Sequence, residues 1–483
     1  MTSNNSDSDN NNSGSNGVST TTSLIYSRSM IVLFSTKILR MFSYGALTPV
    51  FYSYLLLLGI DIFYAGVLMT LILVGDLAVT LNLTTRADSF GRRNVLVIGA
   101  LLKFGAGFIF ASTSNYALLV LAGIVGVIST SGGEIGPFIS VEQASLTDAI
   151  IHQIGEHQAR AVIPVWFGWY NAGGYLAQAL GALVSGNLVS VLLDTYSWDS
   201  LSAHQAVIYL YAAIGILMAL LYRFGLGTEI ESIHIHEDAT PNKCDVTILI
   251  PKMELGLHRS DSVFIVARLS CLFALDAFAG GFVMQTWIAY WFEERWNFSP
   301  KLLGDLISIS NVVAGISGIS AAYFVSRFGA INTMVWTHLP SNIFLLLVPF
   351  MPTKNAAALM LVTRFCISQM DVPARQSYVA MVVASNERSA AGGITNIARS
   401  VGLLLAPAIT GYLSEAKPGS MKFNAPWIIA GVLKCVYDLT LWAMYHMSTG
   451  LKKAEDSNAK AAAIIHNNNI PTTERTPLVV AVR

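Results

Sequence analysis

Charge is scarce in this sequence. Only 12% of its 483 residues are Asp, Glu, Lys or Arg, about half of the ~25% that is usual in soluble globular proteins. Hydrophobic residues make up 53%, and the mean hydropathy is +0.55. A soluble protein of this length needs far more polar surface to cover itself. The composition therefore indicates a membrane protein and argues against a soluble multidomain enzyme.

Other sequence signals are missing too, and each absence argues against one class of protein or site. Twenty-nine Lys and Arg balance twenty-nine Asp and Glu, so no nucleic-acid-binding face is indicated. The four cysteines lie far apart, without the spacing of a zinc site, a redox couple or a disulfide scaffold. The chain has no Gly-x-x-x-x-Gly-Lys-Ser/Thr phosphate loop, which argues against direct use of ATP. It also shows no nucleophile–base set at fixed spacing. We expect no enzyme, no cofactor and no bound metal.

Long apolar stretches account for the hydrophobic excess. A bilayer core of about 30 Å requires roughly 20 helical residues to cross it, and that length predicts twelve spans. They lie near 31–59, 63–84, 94–113, 116–141, 162–186, 205–226, 263–292, 301–325, 331–350, 356–382, 389–413 and 424–447. The predicted fold is an all-α polytopic membrane protein with twelve transmembrane helices in two pseudo-symmetric six-helix halves.

Polar segments separate and flank the two halves. Residues 1–29 begin with Ser, Thr, Asn, Asp and Gly, and predict a disordered N-terminus. This segment lacks the basic start and short apolar core of a cleaved signal peptide. A charged connector over 228–262 divides the N-terminal half, 30–227, from the C-terminal half, 263–448. A polar tail follows over 449–483.

The distribution of Lys and Arg predicts that both termini are cytoplasmic. In that orientation sixteen of the 29 basic residues lie in cytoplasmic segments and five in external loops. Such an excess on the cytoplasmic side is the general rule, and an even number of spans agrees with it. The external residues are Arg295, Lys301, Lys354, Lys417 and Lys422.

A weak internal repeat relates the two halves. An offset of 236 residues aligns Arg40 with Asp276, Gly45 with Gly281 and Tyr54 with Tyr290. A few matches at adjustable offsets also arise by chance. Many transporters are nevertheless built from repeated six-helix halves.

The loop between the second and third spans carries a resemblance to a known family. Its sequence, Ala87-Asp88-Ser89-Phe90-Gly91-Arg92-Arg93, is similar to the signature loop of the major facilitator superfamily, Gly-x-Leu-Ala-Asp-Arg-x-Gly-Arg-Arg/Lys. Thr84, Arg86 and Ser89 depart from that pattern, and the second-half counterpart keeps only Arg327 and Gly329. The six-plus-six layout agrees with the family. The resemblance implies a secondary transporter that works by alternating access.

This loop predicts a cytoplasmic gate. Asp88 can pair with Arg92 four residues later, and Gly91 permits a tight turn. Together with Arg93 and Glu142, these residues would hold the halves together and release them during transport. The alternative is that the charges only satisfy the positive-inside rule.

The tenth predicted span is the richest in ionisable residues, which are costly inside a membrane and therefore mark candidate functional sites. Arg364, Asp371 and Arg375 share one face of a helix at about 100° per residue, and Pro373 breaks the backbone ladder between the last two. The alternatives are a salt bridge that neutralises itself and, for Arg375, a side chain that snorkels to the interface.

Two glutamates in the fourth span are further candidates. A carboxyl at Glu134, flanked by glycines, suits a proton carrier when desolvated, although it can equally be the structural partner of an arginine. Glu142 lies about 12 Å further along the helix, and we expect it at a gate or at headgroup level. Arg40 and Asp276 occupy equivalent places in the repeat and can face one central cavity. The alternative for Arg40 is a near-cytoplasmic depth.

Two short motifs concern processing and sorting. Asn297-Phe298-Ser299 is a glycosylation sequon in a predicted external loop. The tail residues Glu474, Leu478 and Val479 resemble an acidic di-leucine signal, with Val in the second position, that sorting adaptors bind. This motif suggests a vacuolar or lysosomal membrane, with the plasma membrane as the alternative.

The sequence therefore predicts a secondary active transporter of a small polar or ionic solute, with protons as the second partner. Its substrate and proton pathway would be formed by Arg40, Glu134, Asp276, Arg364, Asp371 and Arg375. Glu134 or Asp371 would carry the proton. The alternative is a membrane receptor or partner subunit that has a transporter-like fold and does not transport.

Overall fold

The computed structural model describes residues 28–85, 90–129, 138–227, 260–383 and 387–447. All regular secondary structure within these ranges is helical. Ten helical stretches are long and apolar enough to cross a bilayer. The chain is therefore a multi-pass membrane protein, as the composition predicted.

The N-terminal half consists of seven helices in the described residues. They are α1 (Arg28–Leu47), α2 (Phe51–Leu57), α3 (Ile62–Thr85), α4 (Arg92–Ser112), α5 (Tyr116–Val125), α6 (Phe138–Asp194) and α7 (Ser200–Gly225). Helix α6 is two helices joined at a kink, where Gly155 has φ 77° and ψ 156°. Polar caps start two others, since Asn115 accepts hydrogen bonds from backbone N–H groups of α5 and Asp199 accepts one from α7.

The C-terminal half follows the connector. Its helices are α8 (Ser260–Gly281), α9 (Gln285–Trp296), α10 (Pro300–Phe328), α11 (Ala330–Leu347), α12 (Lys354–Ser368), α13 (Asp371–Val382), α14 (Arg388–Leu403), α15 (Ala406–Ser414) and α16 (Met421–Met447). Ser299 caps α10 and Thr353 caps α12 through their hydroxyl oxygens.

Ten of the twelve predicted spans correspond to the ten membrane-crossing stretches, and the fourth and tenth do not. Within the first, seventh and eleventh spans, two consecutive helices take the place of one. In the fourth span, α5 ends at Val125, and residues 130–137 lie outside the described ranges. In the tenth span, α12 ends at Ser368 and α13 begins at Asp371. Pro373 therefore lies in the first turn of α13, where its missing N–H costs little. The helix is interrupted before Pro373, because the ring nitrogen of proline has no N–H group to donate to a carbonyl of the preceding turn. The count of twelve spans remains a prediction.

Backbone conformation supports the internal repeat. Gly91 and Gly329 both follow a phenylalanine, precede a helix and have positive φ values of 85° and 81°. Such values are unfavourable for a residue with a Cβ atom. The loop of the predicted cytoplasmic gate and its eroded second-half counterpart therefore share one backbone turn.

Two helix pairs join the halves in a pseudo-symmetric manner. Helix α6 packs along α10, and α3 packs along α15. Each crossing is close because glycine faces glycine: Gly186 meets Gly304, and Gly66 meets Gly411. A Cβ atom on Gly186 would lie 2.5 Å from the Pro300 carbonyl oxygen, so these backbones leave no room for a side chain.

The two ends of the bundle differ. At the end that carries these glycine crossings, which we call the sealed end, both halves share one apolar core that includes Phe51, Tyr290 and Trp427. Towards the opposite end, which carries Arg28 and Met447 and which we call the terminal end, each half has its own core. One is formed by residues between 30 and 226, and the other by residues between 266 and 441.

A buried charge network as the candidate functional site

Asp276 on α8 is the centre of a cluster of charges inside the C-terminal half. Its side chain is 4% exposed, and Lys434 of α16 donates to Oδ1 at 2.6 Å. Arg399 of α14 donates to Oδ2 at 3.1 Å, and Arg375 Nη1 lies 3.9 Å from the same oxygen. Three cationic side chains from three helices thus surround one carboxylate, which offsets the high cost of burying it.

His338 on α11 connects Asp276 to a second buried carboxylate. Its Nδ1 lies 2.9 Å from Oδ1 of Asp438 on α16, and its Nε2 lies 4.0 Å from Oδ1 of Asp276. Asn342, one turn later on α11, donates to the other oxygen of Asp438 at 2.8 Å. An imidazole between two carboxylates can bind or release a proton without leaving its place.

Asp371 and Arg375 form the pair that the sequence predicted. Arg375 Nη1 donates to Asp371 Oδ2 at 2.8 Å, four residues apart on α13. Arg364 lies on α12 instead, so the single helical face predicted for all three is interrupted by the break between the helices. It is nevertheless buried and interacts electrostatically with Asp276 and Asp371. Arg375 is also buried, which excludes snorkelling in this conformation.

We call this set the C-terminal charge network. It consists of Asp276, His338, Asn342, Arg364, Asp371, Arg375, Arg399, Lys434 and Asp438. A cavity of about 100 Å³ lies beside it, with Arg375 and Arg399 in its wall.

The N-terminal half contains a separate and smaller cluster. Arg40 on α1 donates through both Nη atoms, each at 2.7 Å, to the two carboxylate oxygens of Glu142 on α6. Tyr170 and Tyr222 donate their hydroxyls to the same carboxylate. All four side chains are almost completely buried. This pair corrects one expectation, because Arg40 is buried within its own half and does not face Asp276 across a shared cavity. The role of Glu142 at a gate or at headgroup level remains a prediction.

Two lysines of the N-terminal half are also buried. The position of Lys37 near the start of a span predicts snorkelling, but its Nζ lies 4.4 Å from the centre of the Tyr170 ring and the side chain is 2% exposed. Lys103 Nζ lies 3.1 Å from the centre of the Tyr211 ring. Aromatic faces stabilise both ammonium groups by cation–π interaction.

The predicted cytoplasmic gate is described only in part, since Asp88 lies outside the described residues. Gly91 makes the expected turn. Arg92 pairs with Asp148 of α6, and Arg93 donates to the Leu226 carbonyl at 2.7 Å. Both contacts lie within the N-terminal half. A latch between the halves remains a prediction.

Three other predicted sites have different outcomes. Glu134 and the tail residues Glu474, Leu478 and Val479 lie outside the described ranges. Asn297 is exposed at the C-terminal end of α9, with a left-handed φ of 51°. Within its sequon, Phe298 is buried and the Ser299 hydroxyl caps α10. Glycosylation remains a prediction.

Sequence reasoning missed part of the C-terminal charge network. The sequence patterns assign no role to His338, Arg399, Lys434 or Asp438. One signal was present: His338 with Asn342 and Lys434 with Asp438 are both spaced four residues apart in otherwise apolar spans. That spacing places each pair on one helix face.

Comparisons with known proteins agree with this architecture. The profile of the Major Facilitator Superfamily matches residues 33–368 and 269–480. An uncharacterized membrane protein of Saccharomyces cerevisiae, YJR124C, is 29% identical over 439 residues, covering 87% of this chain and 94% of the relative. The quinolone resistance protein NorA of Staphylococcus aureus is 24% identical over 396 residues, covering 80% and 90%.

Solved structures show the same fold at low sequence identity. The nucleoside transporter NupG has a TM-score of 0.63 at 14% identity, covering 86% of this chain and 98% of NupG. A bacterial homolog of the human lysosomal transporter Spinster, in an inward-facing and occupied conformation, has a TM-score of 0.63 at 15% identity, covering 92% and 99%. With two halves related by a repeat and a profile match over most of its length, the chain belongs to the major facilitator superfamily of membrane transporters.

Proposed function

We propose that this protein is a secondary active transporter of a small polar or ionic solute, coupled to protons and working by alternating access. The observation that carries the proposal is the C-terminal charge network. Ionisable groups inside a membrane are costly and mark ion or substrate pathways. The C-terminal charge network contains eight ionisable side chains from five predicted spans, and a cavity lies beside it.

The contrast between the two ends of the bundle supports alternating access. A shared core joins the halves at the sealed end, whereas separate cores close each half at the terminal end. Rocking of one half against the other would reverse this arrangement. With cytoplasmic termini, the structure corresponds to an inward-facing state.

His338 and Asp371 are the proton-binding candidates that geometry favours. His338 is faced by Asp438, Lys434 and Tyr437 of α16, by Asp276 of α8 and by Asp371 of α13. Histidine changes charge near neutral pH more readily than any other side chain. Asp371 is one of the two sequence-based candidates, the other being Glu134, which lies outside the described residues. A proton on Asp371 would release Arg375 from their ion pair.

The test is transport by the purified protein in liposomes. A panel of polar and ionic solutes is offered with and without an imposed pH gradient, while a trapped dye reports internal pH. The proposal expects accumulation of at least one solute, driven by the gradient. His338→Gln or Asp371→Asn should abolish the accumulation while leaving exchange down the solute gradient.

A matched control separates coupling from general damage. Asp194→Asn removes a carboxylate at the exposed end of α6, where Asp194 accepts a hydrogen bond from Ser190, and should transport as the wild type does. Unchanged gradient-driven accumulation in both test variants would contradict proton coupling at these residues. Absence of all flux, together with a copurifying partner, would favour the receptor alternative.

The cellular location is proposed from a short motif in the C-terminal tail. The acidic di-leucine-like tail motif, at Glu474, Leu478 and Val479, suggests recognition by sorting adaptors and delivery to a vacuolar or lysosomal membrane. Replacing Leu478 and Val479 by alanine should then move a fluorescent fusion to the plasma membrane. An unchanged distribution would contradict the sorting role.

A further inference from the structure

The charges of the C-terminal charge network do not balance. Its permanently cationic members are Arg364, Arg375, Arg399 and Lys434, whereas its carboxylates are Asp276, Asp371 and Asp438. One positive charge is therefore in excess among these described residues, even with His338 neutral.

Glu387 does not remove this excess. It is also buried, but it lies directly before α14, twelve residues before Arg399, which separates the two by about 18 Å along the helix axis at 1.5 Å of rise per residue. Among the described residues the excess charge therefore belongs to the network, where burial makes an uncompensated cation costly.

Arg399 directs part of its guanidinium away from the network. One Nη donates to Asp276, and the other donors form no hydrogen bond with a described residue. The side chain is 27% exposed, in contrast to 4% for Asp276. Both Arg399 and Arg375 form part of the cavity wall.

Half of the remaining lining is polar, and none of it is acidic among the described residues. Gln376 of α13 and Thr395 and Asn396 of α14 are the polar members, and the apolar members are Phe273, Val379 and Gly392. Gln376 and Asn396 are exposed. Amide groups are unfavourable against lipid tails, so this mouth suits the aqueous space between the halves better than the membrane.

We propose that this cavity binds the carboxylate of the transported solute, so that the substrate is a small monocarboxylic acid in its anionic form. This inference rests on the proposed transport function. A guanidinium binds a carboxylate through parallel hydrogen bonds with its planar fork. One negative charge cancels the excess of the network. A space of about 100 Å³ accepts the carboxylate and a few attached atoms, and the rest of the solute extends past Gln376 and Asn396.

The test compares carboxylates with their own amides. Thermal unfolding of the purified full-length protein is recorded with butyrate, benzoate or pyruvate, and with butyramide, benzamide or pyruvamide at the same concentrations. At least one carboxylate should raise the melting temperature in a saturable manner, and its amide should not. Equal stabilisation by acid and amide, or no stabilisation by any of the three acids, would overturn the proposal.

Variants locate the site. Asn396→Asp places a negative charge at an exposed position of the cavity wall and should raise the apparent Kd of the carboxylate at least tenfold. Arg399→Gln should have the same effect, and Arg399→Lys should lose part of the affinity because the ammonium lacks the fork. Asn332→Asp is the matched control, an exposed helix position at the start of α11, and should bind as the wild type does. Wild-type affinity in Asn396→Asp would overturn the assignment.

Transport separates this inference from the function on which it rests. If the protein transported only neutral or cationic solutes, the proposed transport function would stand and the carboxylate site would be wrong. If a carboxylate bound in a manner that depends on Arg399 but no solute were transported, the binding site would stand and the transport function would be wrong.

Discussion

At the scale of single residues, every ion pair among the described residues joins two residues of the same half. Glu142 accepts from Arg40 and from two tyrosine hydroxyls, whereas Asp276 has cations on three sides. The first cluster is closed and satisfied, and the second borders a cavity. From this difference we propose a structural role for the N-terminal pair, beside the functional role proposed above for the C-terminal charge network.

The structural role of Glu142 leads to a stability prediction. Glu142→Gln leaves the Arg40 guanidinium buried without a carboxylate, and breaking a buried pair in this way costs about 3–5 kcal/mol. We expect a clearly lower melting temperature in detergent. The double variant Arg40→Gln with Glu142→Gln should recover much of the loss, since no lone charge remains.

Asp148→Asn is the matched control. Asp148 pairs with Arg92, but its side chain is 29% exposed, and partly solvated pairs are worth about 1 kcal/mol or less. If Glu142→Gln melted at the same temperature as Asp148→Asn, the closed cluster would not be a stabilising element.

At the scale of elements, glycine decides where helices can start and cross. Gly91 and Gly329 make equivalent turns with positive φ in the two halves. Other glycines are required because two helices approach closely and not because of their backbone conformation. Gly181, for example, faces the Phe42 carbonyl, where there is no room for a Cβ atom. The same residue type therefore has two distinct roles, and sequence alone does not separate them.

Helix α4 provides a comparison of two glycines. Gly91→Ala forces an L-residue into φ 85° directly before the helix, which costs about 1–3 kcal/mol of strain. Gly105→Ala lies within the helix with no atom within 4 Å of the new Cβ, and should be neutral or stabilising by up to about 1 kcal/mol. Melting temperatures of the two variants check this order, and the reverse order would contradict the backbone argument.

At the scale of the whole molecule, the sealed end holds the two halves in the observed arrangement. The shared aromatic core and the two glycine crossings all lie there. Hydrogen bonds between the halves join Ser53 to Glu293 and Gln178 to Gln285. Opening this end requires that the helix pairs α3–α15 and α6–α10 separate or slide.

The crossing at Gly186 predicts a shift between conformations. Gly186→Ala places a Cβ atom 2.5 Å from the Pro300 carbonyl oxygen and 2.8 Å from Gly304 Cα, which disfavours the closed seal. Because a change of about 1 kcal/mol alters a population about fivefold, a cysteine introduced at Ser53 should react about fivefold faster with a maleimide in a background without the native cysteines.

Gly168→Ala lies on the same helix with no neighbour within 4 Å of the new Cβ and is the control. Its labelling rate should equal that of the parent protein. Equal rates in Gly186→Ala and Gly168→Ala would show that this crossing does not hold the seal.

The sequence by itself determined the membrane class, the positions of ten spans and the pairing of Asp371 with Arg375. These properties depend on composition and on spacing along one helix, both of which are local. Only the tertiary structure decided that Glu142 pairs with Arg40, that His338 and Lys434 lie beside Asp276, and that Arg399 lines a cavity. The residues in each of these contacts lie on different helices and are up to 158 positions apart. The rotation and depth of each helix place them together, and packing between helices sets both.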